Sequence, residues 1–342
     1  MQRTTNRQIL LAARPAGMIQ ESDFTRHEVP VPVPKDGEFL VRNIYLSLDP
    51  TIRNWMNEAD TYMPAIRIGE VMRGGGIGVV VESRAGGYAV GDHVFGLIGW
   101  QDYCLGRADS PMPMMVLPLG VPLLAAISVF GVTGMTAYFG LLDVGRPQAG
   151  ETVVVSAAAG ATGSVAGQIA KIKGCRVVGI AGSAEKCKWV TAELGLDACV
   201  NYKTEDVAAR LKHTCPNGID VYFDNVGGEI LDTVLTLINR SARVVLCGAI
   251  SMYNSAELPP GPRHYVALML QRARMEGFII TDYLHRFPEA IADLGPWVAE
   301  GKLKYAVDVV DGLEHAPTAI NRLFSGANTG KLIVKISEEA AG

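Results

Sequence analysis

The residues with the clearest chemical potential form a turn of small side chains between positions 157 and 163. A strand-like run, Thr152–Ser156, precedes this turn, and a helix-like run over 164–173 follows it. Strand, glycine-containing turn and helix in this order present backbone N–H groups to a phosphate at the helix N-terminus. We expect Gly160 and Gly163 to let the main chain approach a pyrophosphate. The match to the usual G-x-G-x-x-G spacing is imperfect, because the first glycine position holds an alanine.

The end of the following strand indicates which dinucleotide would bind. In a dinucleotide-binding fold, an acid about 20 residues after the glycines binds the ribose 2′-OH of NAD. Here the strand ends at Gly182 and Ser183 without an acid, and Lys186 follows. A hydroxyl and a cation suit a 2′-phosphate, and Tyr202 could add a phenol, so we predict NADP(H). We expect the side chain of Glu185 to point away from the helix start. The alternative role for Lys186 is that of an ordinary lysine exposed on the helix surface.

From about residue 125 onwards, the elements that must position these residues alternate between strands and helices. Strands are predicted at Thr152–Ser156, Arg176–Ile180, Ala198–Asn201, Ile219–Asp224, Ala242–Cys247 and Met275–Ile280. Helices are predicted over Leu123–Leu142, Ala184–Leu194, Glu205–Lys212, Glu229–Ile238 and 288–301. This α/β alternation is typical of a Rossmann fold, a doubly wound parallel sheet of about six strands.

The earlier part of the chain has a different pattern, with short strands separated by glycine and proline. Strand-like runs lie at Arg7–Leu11, Phe39–Leu46 and Ile77–Val81, and Glu28–Lys35 alternates valine with proline as an edge would. Such a pattern favours a partly open β-barrel. The tail, Lys304–Lys335, returns to strand character. We therefore predict a barrel domain over 1–124 and 304–342, and a dinucleotide-binding domain over 125–303.

Composition excludes several classes of protein. The 342 residues carry a net charge of −4, whereas nucleic-acid-binding proteins usually have a basic surplus. The uncharged stretch from Ser110 to Leu142 is long enough to span a bilayer, but prolines and glycines interrupt it, so we expect no membrane span. The beginning of the chain does not resemble a signal peptide, which makes the cytoplasm the expected location.

A metal site is not expected from the metal-binding residue types. The six cysteines are scattered without a C-x-x-C pair, which is typical of reduced thiols. His27 and His93 are far apart in sequence, and no four-ligand set suggests a structural zinc.

Several stretches resemble one family in particular. They are Ala157–Ser164, Gly182–Lys186, Asn201–Thr204, Tyr222–Gly228, Cys247–Ser251 with Tyr253 and Asn254, and Leu258–Pro262. Together they resemble the zinc-independent branch of the medium-chain dehydrogenase/reductase superfamily. That branch includes prostaglandin reductase/leukotriene B4 dehydrogenase, plant alkenal double-bond reductases and bacterial NADPH-dependent curcumin reductases. The length of the chain favours the curcumin-reductase type. The resemblance implies a GroES-like barrel followed by a Rossmann domain, and relatives are often homodimers.

The resemblance also implies roles for individual residues around NADP(H). The pyrophosphate would be held by Gly160, Ala161, Thr162 and Gly163, and the 2′-phosphate by Ser183, Lys186 and Tyr202. The nicotinamide ribose would be lined by Asn225, Cys247, Gly248, Ala249, Ile250, Ser251 and Tyr253. Phe278, Ile279, Ile280 and Asn328 would complete the nicotinamide pocket. Independently of the resemblance, Asn225 and Cys247 lie at the carboxyl ends of predicted strands, where ligands bind in such sheets.

Without a metal, the simplest reaction is reduction of a C=C bond conjugated to a carbonyl. The β-carbon accepts hydride directly, and the developing enolate oxygen needs only hydrogen-bond donors. Tyr253 is the first candidate for the catalytic donor, because it follows the fifth predicted strand; its alternative role is an ordinary pocket or core tyrosine. Tyr62 and Tyr265 are lesser candidates.

The substrate pocket departs from the family pattern at one position. Many members read Asp-Pro-Tyr-Met-Arg where this chain reads Asp49-Pro50-Thr51-Ile52-Arg53, so Thr51 replaces the aromatic residue that would face the substrate. Substrate preference should therefore not be copied from a relative with the tyrosine. Arg53 could form an ion pair with Asp49 or meet an acidic group of the substrate.

Two other functions compete with an NADPH-dependent enone or alkenal reductase. One is a quinone oxidoreductase, since a quinone is also a conjugated enone. The other is a non-catalytic NADPH-binding protein, such as a redox sensor, because an intact cofactor loop does not by itself imply turnover.

Overall fold

A computed structural model of the chain describes residues 4–255, 257 and 259–339. They divide into two compact units. The first unit comprises the described residues up to Ile127 and those from Val307 onwards, and the second comprises those of Ser128–Ala306. The sequence analysis placed the corresponding boundaries after residues 124 and 303. Of the stretches named there, Leu258 in the Leu258–Pro262 motif lies outside the described residues.

The fifteen strands found among the described residues are numbered in chain order. They are β1 (Thr5–Leu11), β2 (Phe24–Pro30), β3 (Glu38–Ser47), β4 (Gly75–Ser83), β5 (His93–Leu97), β6 (Tyr103–Arg107), β7 (Met115–Val116), β8 (Thr152–Ser156), β9 (Arg176–Ala181), β10 (Ala198–Asn201), β11 (Ile219–Asp224), β12 (Ile238–Leu246), β13 (Arg274–Gly277), β14 (Val307–Asp311) and β15 (Lys331–Lys335).

The α-helices are numbered in the same way. They are α1 (Ile52–Trp55), α2 (Leu123–Ile127), α3 (Val132–Phe139), α4 (Ala161–Ile172), α5 (Ala184–Ala192), α6 (Val207–Thr214), α7 (Gly228–Leu235), α8 (Val266–Gln271), α9 (Phe287–Ala299), α10 (Ala316–Ala319) and α11 (Asn321–Ser325). A π-helical turn covers Gly140–Gly145, and 3₁₀ turns cover Glu21–Asp23, Ile250–Met252, Ile280–Arg286 and Leu313–His315.

The first unit is rich in β-structure. Its larger sheet has the order β14-β15-β3-β4-β5-β7, with β6 also paired to β3, and β1 and β2 form a separate antiparallel ribbon. All pairs in the larger sheet are antiparallel except β14 with β15. Phe39, Met56 and Trp100 are completely buried in the core beneath it. The β-rich first domain predicted from the sequence is confirmed.

The second unit contains a six-stranded sheet in the order β10-β9-β8-β11-β12-β13. Every neighbouring pair is parallel. From central β8 the chain runs outwards to β9 and β10, then crosses to β11, β12 and β13 on the other side. The carboxyl ends of β8 and β11 therefore meet at the topological switch point, where ligands bind in this class of fold. The predicted Rossmann fold is confirmed, and the bounds of β8, β10 and β11 agree with those predicted.

The single buried helix predicted over Leu123–Leu142 is wrong. Residues 123–145 instead form α2, α3 and the π-helical turn, with a non-helical stretch at 128–131. Gly131 is extended, and the main chain folds so tightly that a Cβ on Gly134 would lie 1.8 Å from the Val129 carbonyl oxygen. Uniform apolar composition hides this break, because a buried turn and a buried helix have similar side chains. No described helix is long and apolar enough to cross a membrane.

Three other predicted elements also differ from the structure. The predicted strand Met275–Ile280 ends at Gly277, and a 3₁₀ turn begins at Ile280. The extended edge predicted over Glu28–Lys35 is the end of β2, which stops at Pro30. The tail holds α10 and α11 between its two strands, so its strand character is local.

Candidate functional site

The loop between β8 and α4 has the geometry of a phosphate-binding turn. Ala157 has a φ of +48°, and the Gly160 N–H donates to the Ala157 carbonyl at 2.9 Å. The first N–H groups of α4, at Ala161–Gly163, have no partner within the helix because no earlier turn exists. Helix N-termini of this kind attract phosphate through aligned N–H groups and the helix dipole.

Gly163 has a structural role in this loop. A Cβ built on Gly163 would lie 2.3 Å from the Ala157 carbonyl oxygen, which is far inside contact distance. At Gly160 the corresponding distance is 3.2 Å. The sequence analysis assigned both glycines to the approach of a pyrophosphate. The structure adds that Gly163 lets the first turn of α4 pack against its own loop.

The end of β9 gathers the polar groups predicted to bind a 2′-phosphate. Ser183 caps α5, and its Oγ accepts a hydrogen bond from the Lys186 backbone N–H at 3.2 Å. The phenol of Tyr202 lies across Gly182, so that a Cβ there would meet the ring at 3.0 Å and the hydroxyl at 3.1 Å. The structure thus brings the ends of β9 and β10 together around one hydroxyl, one phenol and the start of α5.

The expectation that Glu185 points away from the helix start is wrong. Its own backbone N–H and the Ser183 hydroxyl hydrogen-bond the carboxylate and lower the pKa of Glu185 below its usual value. The carboxylate is therefore folded onto the N-terminus of α5, where it satisfies donors that an anionic ligand would also seek. A negative charge thus lies within the predicted 2′-phosphate site.

The end of β11 is joined to the end of β8 through Asn225 and Ser156. The Asn225 backbone N–H donates to Ser156 Oγ at 2.8 Å, and its side-chain Nδ2 donates to the Ser156 carbonyl at 2.7 Å. Asn225 therefore lies beside the start of the β8–α4 loop, and its ribose-lining role stays a prediction.

The side chain of Asp224 accepts several hydrogen bonds at this edge of the sheet. Its Oδ1 accepts from Ser156 Oγ at 3.0 Å, Tyr222 Oη at 2.8 Å, and the backbone N–H groups of Val226 and Gly227 at 2.9 and 3.0 Å. Its Oδ2 is buried without a hydrogen-bond partner among the described residues. Burial raises the pKa of Asp224 above its usual value, and the four donors oppose that rise. The sequence analysis did not single out Asp224, although polar residues ending adjacent parallel strands are a usable signal.

The loop after β12 rests on the loop after β11. The N–H groups of Cys247 and Gly248 donate to the Asp224 carbonyl at 2.9 and 3.0 Å. Further along, the N–H groups of Ile250 and Ser251 donate to the carbonyls of residues 225 and 226, both at 3.2 Å. The residues predicted to line the nicotinamide ribose are therefore held together by main-chain hydrogen bonds.

Tyr253 folds back over this loop. Its phenol oxygen accepts a hydrogen bond from the Ala249 N–H at 3.1 Å, and a Cβ on Gly248 would lie 3.3 Å from the same oxygen. A phenol that accepts an N–H bond becomes a stronger donor of its own proton. The arrangement suits a hydrogen-bond donor of fixed position.

Phe278, Ile279 and Ile280 follow β13 and are half-buried. The Phe278 ring packs on Gly140, where a Cβ would meet it at 2.4 Å, and it stands edge-on to Tyr283 with centroids 6.2 Å apart. Tyr265 precedes α8, and its side chain is 61% exposed to solvent.

Thr51 and Tyr62, two predicted substrate-pocket residues of the first unit, contact each other. Thr51 Oγ1 and the Tyr62 hydroxyl are 2.6 Å apart. Burial raises the pKa of Tyr62, against the opposing effect of the Thr51 hydrogen bond. A phenol thus adjoins the position at which the family pattern has its tyrosine.

The predicted ion pair between Arg53 and Asp49 is wrong. Arg53 is 3% exposed, and its guanidinium donates to the carbonyls of Pro15 and Gly17 and to Asn57 Oδ1. Asp49 instead pairs with the buried Lys331, at 2.6 Å. Because the guanidinium of Arg53 already donates to these oxygens, the structure gives no support to its predicted contact with an acidic group of the substrate.

Asn328 also belongs to the first unit. It is 7% exposed, and its amide donates to the Gly330 carbonyl at 3.0 Å. Its predicted place beside the nicotinamide stays a prediction.

All six cysteines are free thiols. Burial raises the pKa of Cys104 and Cys247 to about 12 and that of Cys175 to about 11, and the charge of Asp224 contributes at Cys247. Burial also raises the pKa of Cys187, Cys199 and Cys215 above the usual thiol value. Among the described residues, no group of three or more His, Cys, Asp or Glu side chains could hold a metal ion.

Two family descriptions match the chain. One, the N-terminal domain of oxidoreductase, matches residues 7–114, and the other, zinc-binding dehydrogenase, matches residues 161–295. An NADPH-dependent curcumin reductase of Escherichia coli (strain K12) is 45% identical over 341 residues, covering 98% of each chain. A 2-alkenal reductase (NADP(+)-dependent) of Nicotiana tabacum is 40% identical over 340 residues, again covering 98% of each.

A solved structure agrees with these matches. The crystal structure of CurA from Vibrio vulnificus in complex with NADPH superposes with a TM-score of 0.92 at 44% identity, covering 97% of this chain and all of that one. The similarity therefore extends across both units of the fold.

Proposed function

Because the chain belongs to the zinc-independent branch of the medium-chain dehydrogenase/reductase superfamily, we propose that it is an NADPH-dependent reductase of conjugated C=C bonds. Its substrates would be α,β-unsaturated aldehydes and ketones, including enones, alkenals and curcumin-like diarylheptanoids. The observation that carries the proposal is the full-length match to an NADPH-dependent curcumin reductase, together with the acid-free end of β9.

The residues of the second unit fit NADP(H) well. The N-terminal N–H groups of α4 suit the pyrophosphate, and Ser183, Lys186 and Tyr202 suit a 2′-phosphate. Asn225 and the loop from Cys247 to Tyr253 lie at the carboxyl ends of β11 and β12, where the nicotinamide half would bind. When bound, NADPH supplies the hydride for the β-carbon of the conjugated carbonyl.

In the proposed mechanism, Tyr253 donates a hydrogen bond to the carbonyl oxygen of the substrate. This donor stabilises the negative charge that develops on the oxygen in the transition state. The Ala249 N–H fixes the phenol in position and strengthens it as a donor. The α-carbon then takes a proton from an acidic group or from water. The roles predicted for Thr51, Arg53, Tyr62 and Asn328 in the first unit, and for Tyr265, stay predictions.

The test is an NADPH-oxidation assay with 2-alkenals, enones, curcumin and quinones, followed by identification of the products. We expect saturated aldehydes and ketones, and no reaction with the saturated aldehyde of matched chain length. Reduction of quinones alone would favour a quinone oxidoreductase. Tight NADPH binding without turnover on any member of the panel would favour a redox sensor.

We also propose a homodimer in the cytoplasm. The support for a dimer is that β13 is an edge strand of the parallel sheet and that neighbouring α8 exposes 71% of Met269 and 62% of Leu270. Open strand edges and adjacent apolar side chains are usual sites of association. Six free thiols suit a reducing compartment. Sedimentation of the protein and of a Met269→Asp, Leu270→Asp variant would test the interface.

A further inference from the structure

The end of β8 and the loop after β11 meet at one carboxyl group, that of Asp224. This residue ends β11, and its carboxyl accepts hydrogen bonds from Ser156, Tyr222, Val226 and Gly227. The loop after β12 bonds the backbone carbonyl of the same residue instead. One of the bonds to the carboxyl comes from Ser156, the last residue of β8, immediately before the phosphate-binding turn. Two others come from the backbone of Val226 and Gly227, at the start of the loop after β11. Asp224 therefore joins the two strands at the switch point of the sheet.

These contacts extend indirectly to Tyr253. The loop held by the Asp224 carboxyl offers the carbonyls of Asn225 and Val226 to the N–H groups of Ile250 and Ser251. Ser251 Oγ also donates to the Val226 carbonyl at 2.6 Å. The Ile250–Met252 turn that follows ends at Tyr253. A displacement of residues 225–227 would therefore displace the predicted catalytic phenol.

The two loops pack closely against each other. Gly227 and Gly228 have φ of +69° and +57°, in the left-handed region that favours glycine. A Cβ on Gly228 would lie 2.9 Å from Ser251 Oγ, and one on Gly227 would lie 3.3 Å from Ala249 Cβ. Glycine at both positions therefore permits this close packing of the two loops.

We propose that Asp224 is a positioning residue for the nicotinamide half of the cofactor site, acting by accepting hydrogen bonds rather than by touching the cofactor. This role rests on the proposed function. The role is confined to one half of the site. The groups predicted to bind the 2′-phosphate lie at the ends of β9 and β10, and other contacts hold them, such as the bond from the Lys186 N–H to Ser183 Oγ.

The uneven use of the two carboxyl oxygens determines the choice of variants. Oδ1 accepts four hydrogen bonds, whereas Oδ2 has no partner among the described residues. Asparagine has the same shape and can keep a carbonyl oxygen at the Oδ1 position, so Asp224→Asn can retain all four bonds. Asp224→Ala removes them all. Asp220→Ala is the matched control, because Asp220 lies near the amino end of the same strand, where it accepts from the Thr152 N–H and from Asn239 Nδ2.

The experiment compares the binding of NADPH with that of adenosine 2′,5′-bisphosphate, a fragment that has only the adenine half. For Asp224→Ala we expect the Kd of NADPH to rise about tenfold or more, because the loss of several hydrogen bonds would release the loop after β11 from its position. The Kd of the fragment should change less than about twofold, within the ordinary context dependence of such contacts. Asp224→Asn should restore most of the NADPH affinity and kcat, and Asp220→Ala should leave both Kd values unchanged.

Three results would overturn the positioning role. Equal loss of NADPH and fragment binding in Asp224→Ala would make Asp224 a residue of general stability. Unchanged NADPH binding would show that the loops hold without it. An asparagine variant as impaired as the alanine variant would mean that hydrogen-bond acceptance is not the cause. Failure of the wild-type protein to bind either compound is a separate result, which would contradict the proposed function as well.

Discussion

At the scale of single residues, Lys186 is the first side chain to test. It follows the acid-free end of β9 and provides the cation predicted for the 2′-phosphate site. Lys186→Ala should raise the Kd of NADPH about 10- to 100-fold, the range for losing a hydrogen bond between charged groups. The Kd of NADH should not change.

Lys188 is the matched control for that substitution, since it is an exposed lysine on the same helix. Lys188→Ala should leave the affinities for both cofactors unchanged. An undiminished preference of Lys186→Ala for NADPH over NADH would remove Lys186 from the phosphate site.

The side chain of Glu185 should weaken NADPH binding, whereas that of Lys186 is predicted to strengthen it. The Glu185 carboxylate lies at the start of α5, where it would repel a bound phosphate, and local hydrogen bonds lower the pKa of this carboxyl group below its usual value. Glu185→Gln should tighten NADPH binding about two- to fivefold, as expected for one solvent-screened charge contact. Titration calorimetry in low and high salt would measure this, and the gain should shrink as salt rises. Weaker binding by the glutamine variant would contradict the repulsion.

Tyr253 is the residue on which the proposed chemistry depends. Tyr253→Phe removes the phenol while keeping the ring, and we expect kcat on an enone to fall about tenfold or more. The KM for NADPH should rise less, because the proposed partner of the lost hydroxyl is the substrate oxygen rather than the cofactor. Steady-state kinetics would decide the matter: a kcat within about twofold of the wild-type value is incompatible with a single-donor role.

At the scale of the elements, the β8–α4 turn makes the sharpest prediction. Gly163→Ala would place a methyl group 2.3 Å from the Ala157 carbonyl oxygen. We expect the free energy of unfolding to fall by about 1–3 kcal/mol, the usual cost of overpacking, together with weaker NADPH binding. Gly86→Ala is the control, because a Cβ there meets nothing within 4 Å. Urea unfolding of both variants gives the comparison, and equal stabilities would refute the close contact.

The elements also show which parts of the secondary structure can be predicted from sequence patterns. β8, β10 and β11 were predicted with their observed bounds, and in β8 and β11 most residues favour strands and turn signals flank the run. By contrast, the single helix predicted over 123–142 is interrupted in the structure. Its break depends on the approach of Val129 to Gly134, a contact that composition does not reveal.

The same distinction applies to the candidate site. Positions fixed by local order along the chain, such as Ser183 at the start of α5 and Asn225 after β11, were correctly placed on their elements. The direction in which a side chain points depends on tertiary partners. For that reason the sequence analysis misjudged Glu185 and the partner of Arg53, and it overlooked the hydrogen bonds of Asp224.

At the scale of the whole molecule, the cysteines have one property in common although they are scattered. All six have a raised pKa. A thiol with a pKa of about 12 rather than 9.0 is about a thousandfold less ionised at neutral pH. We expect an enal to alkylate the native protein far more slowly than the urea-unfolded protein at the same pH. Mass spectrometry of the adducts would measure both rates, and similar rates would show that the fold gives no protection.

This property has a consequence for a catalyst of the proposed kind. Conjugated carbonyls are soft electrophiles, and thiolates are the side chains that they modify most readily. An enzyme that reduces such compounds would meet a potential inactivator at each turnover, and Cys247 lies in the loop predicted to line the nicotinamide ribose. By keeping that thiol protonated, burial and the neighbouring charge of Asp224 would make the protein tolerant of its own substrate. The working lifetime of the enzyme would then depend on the same buried carboxyl group that positions its loops.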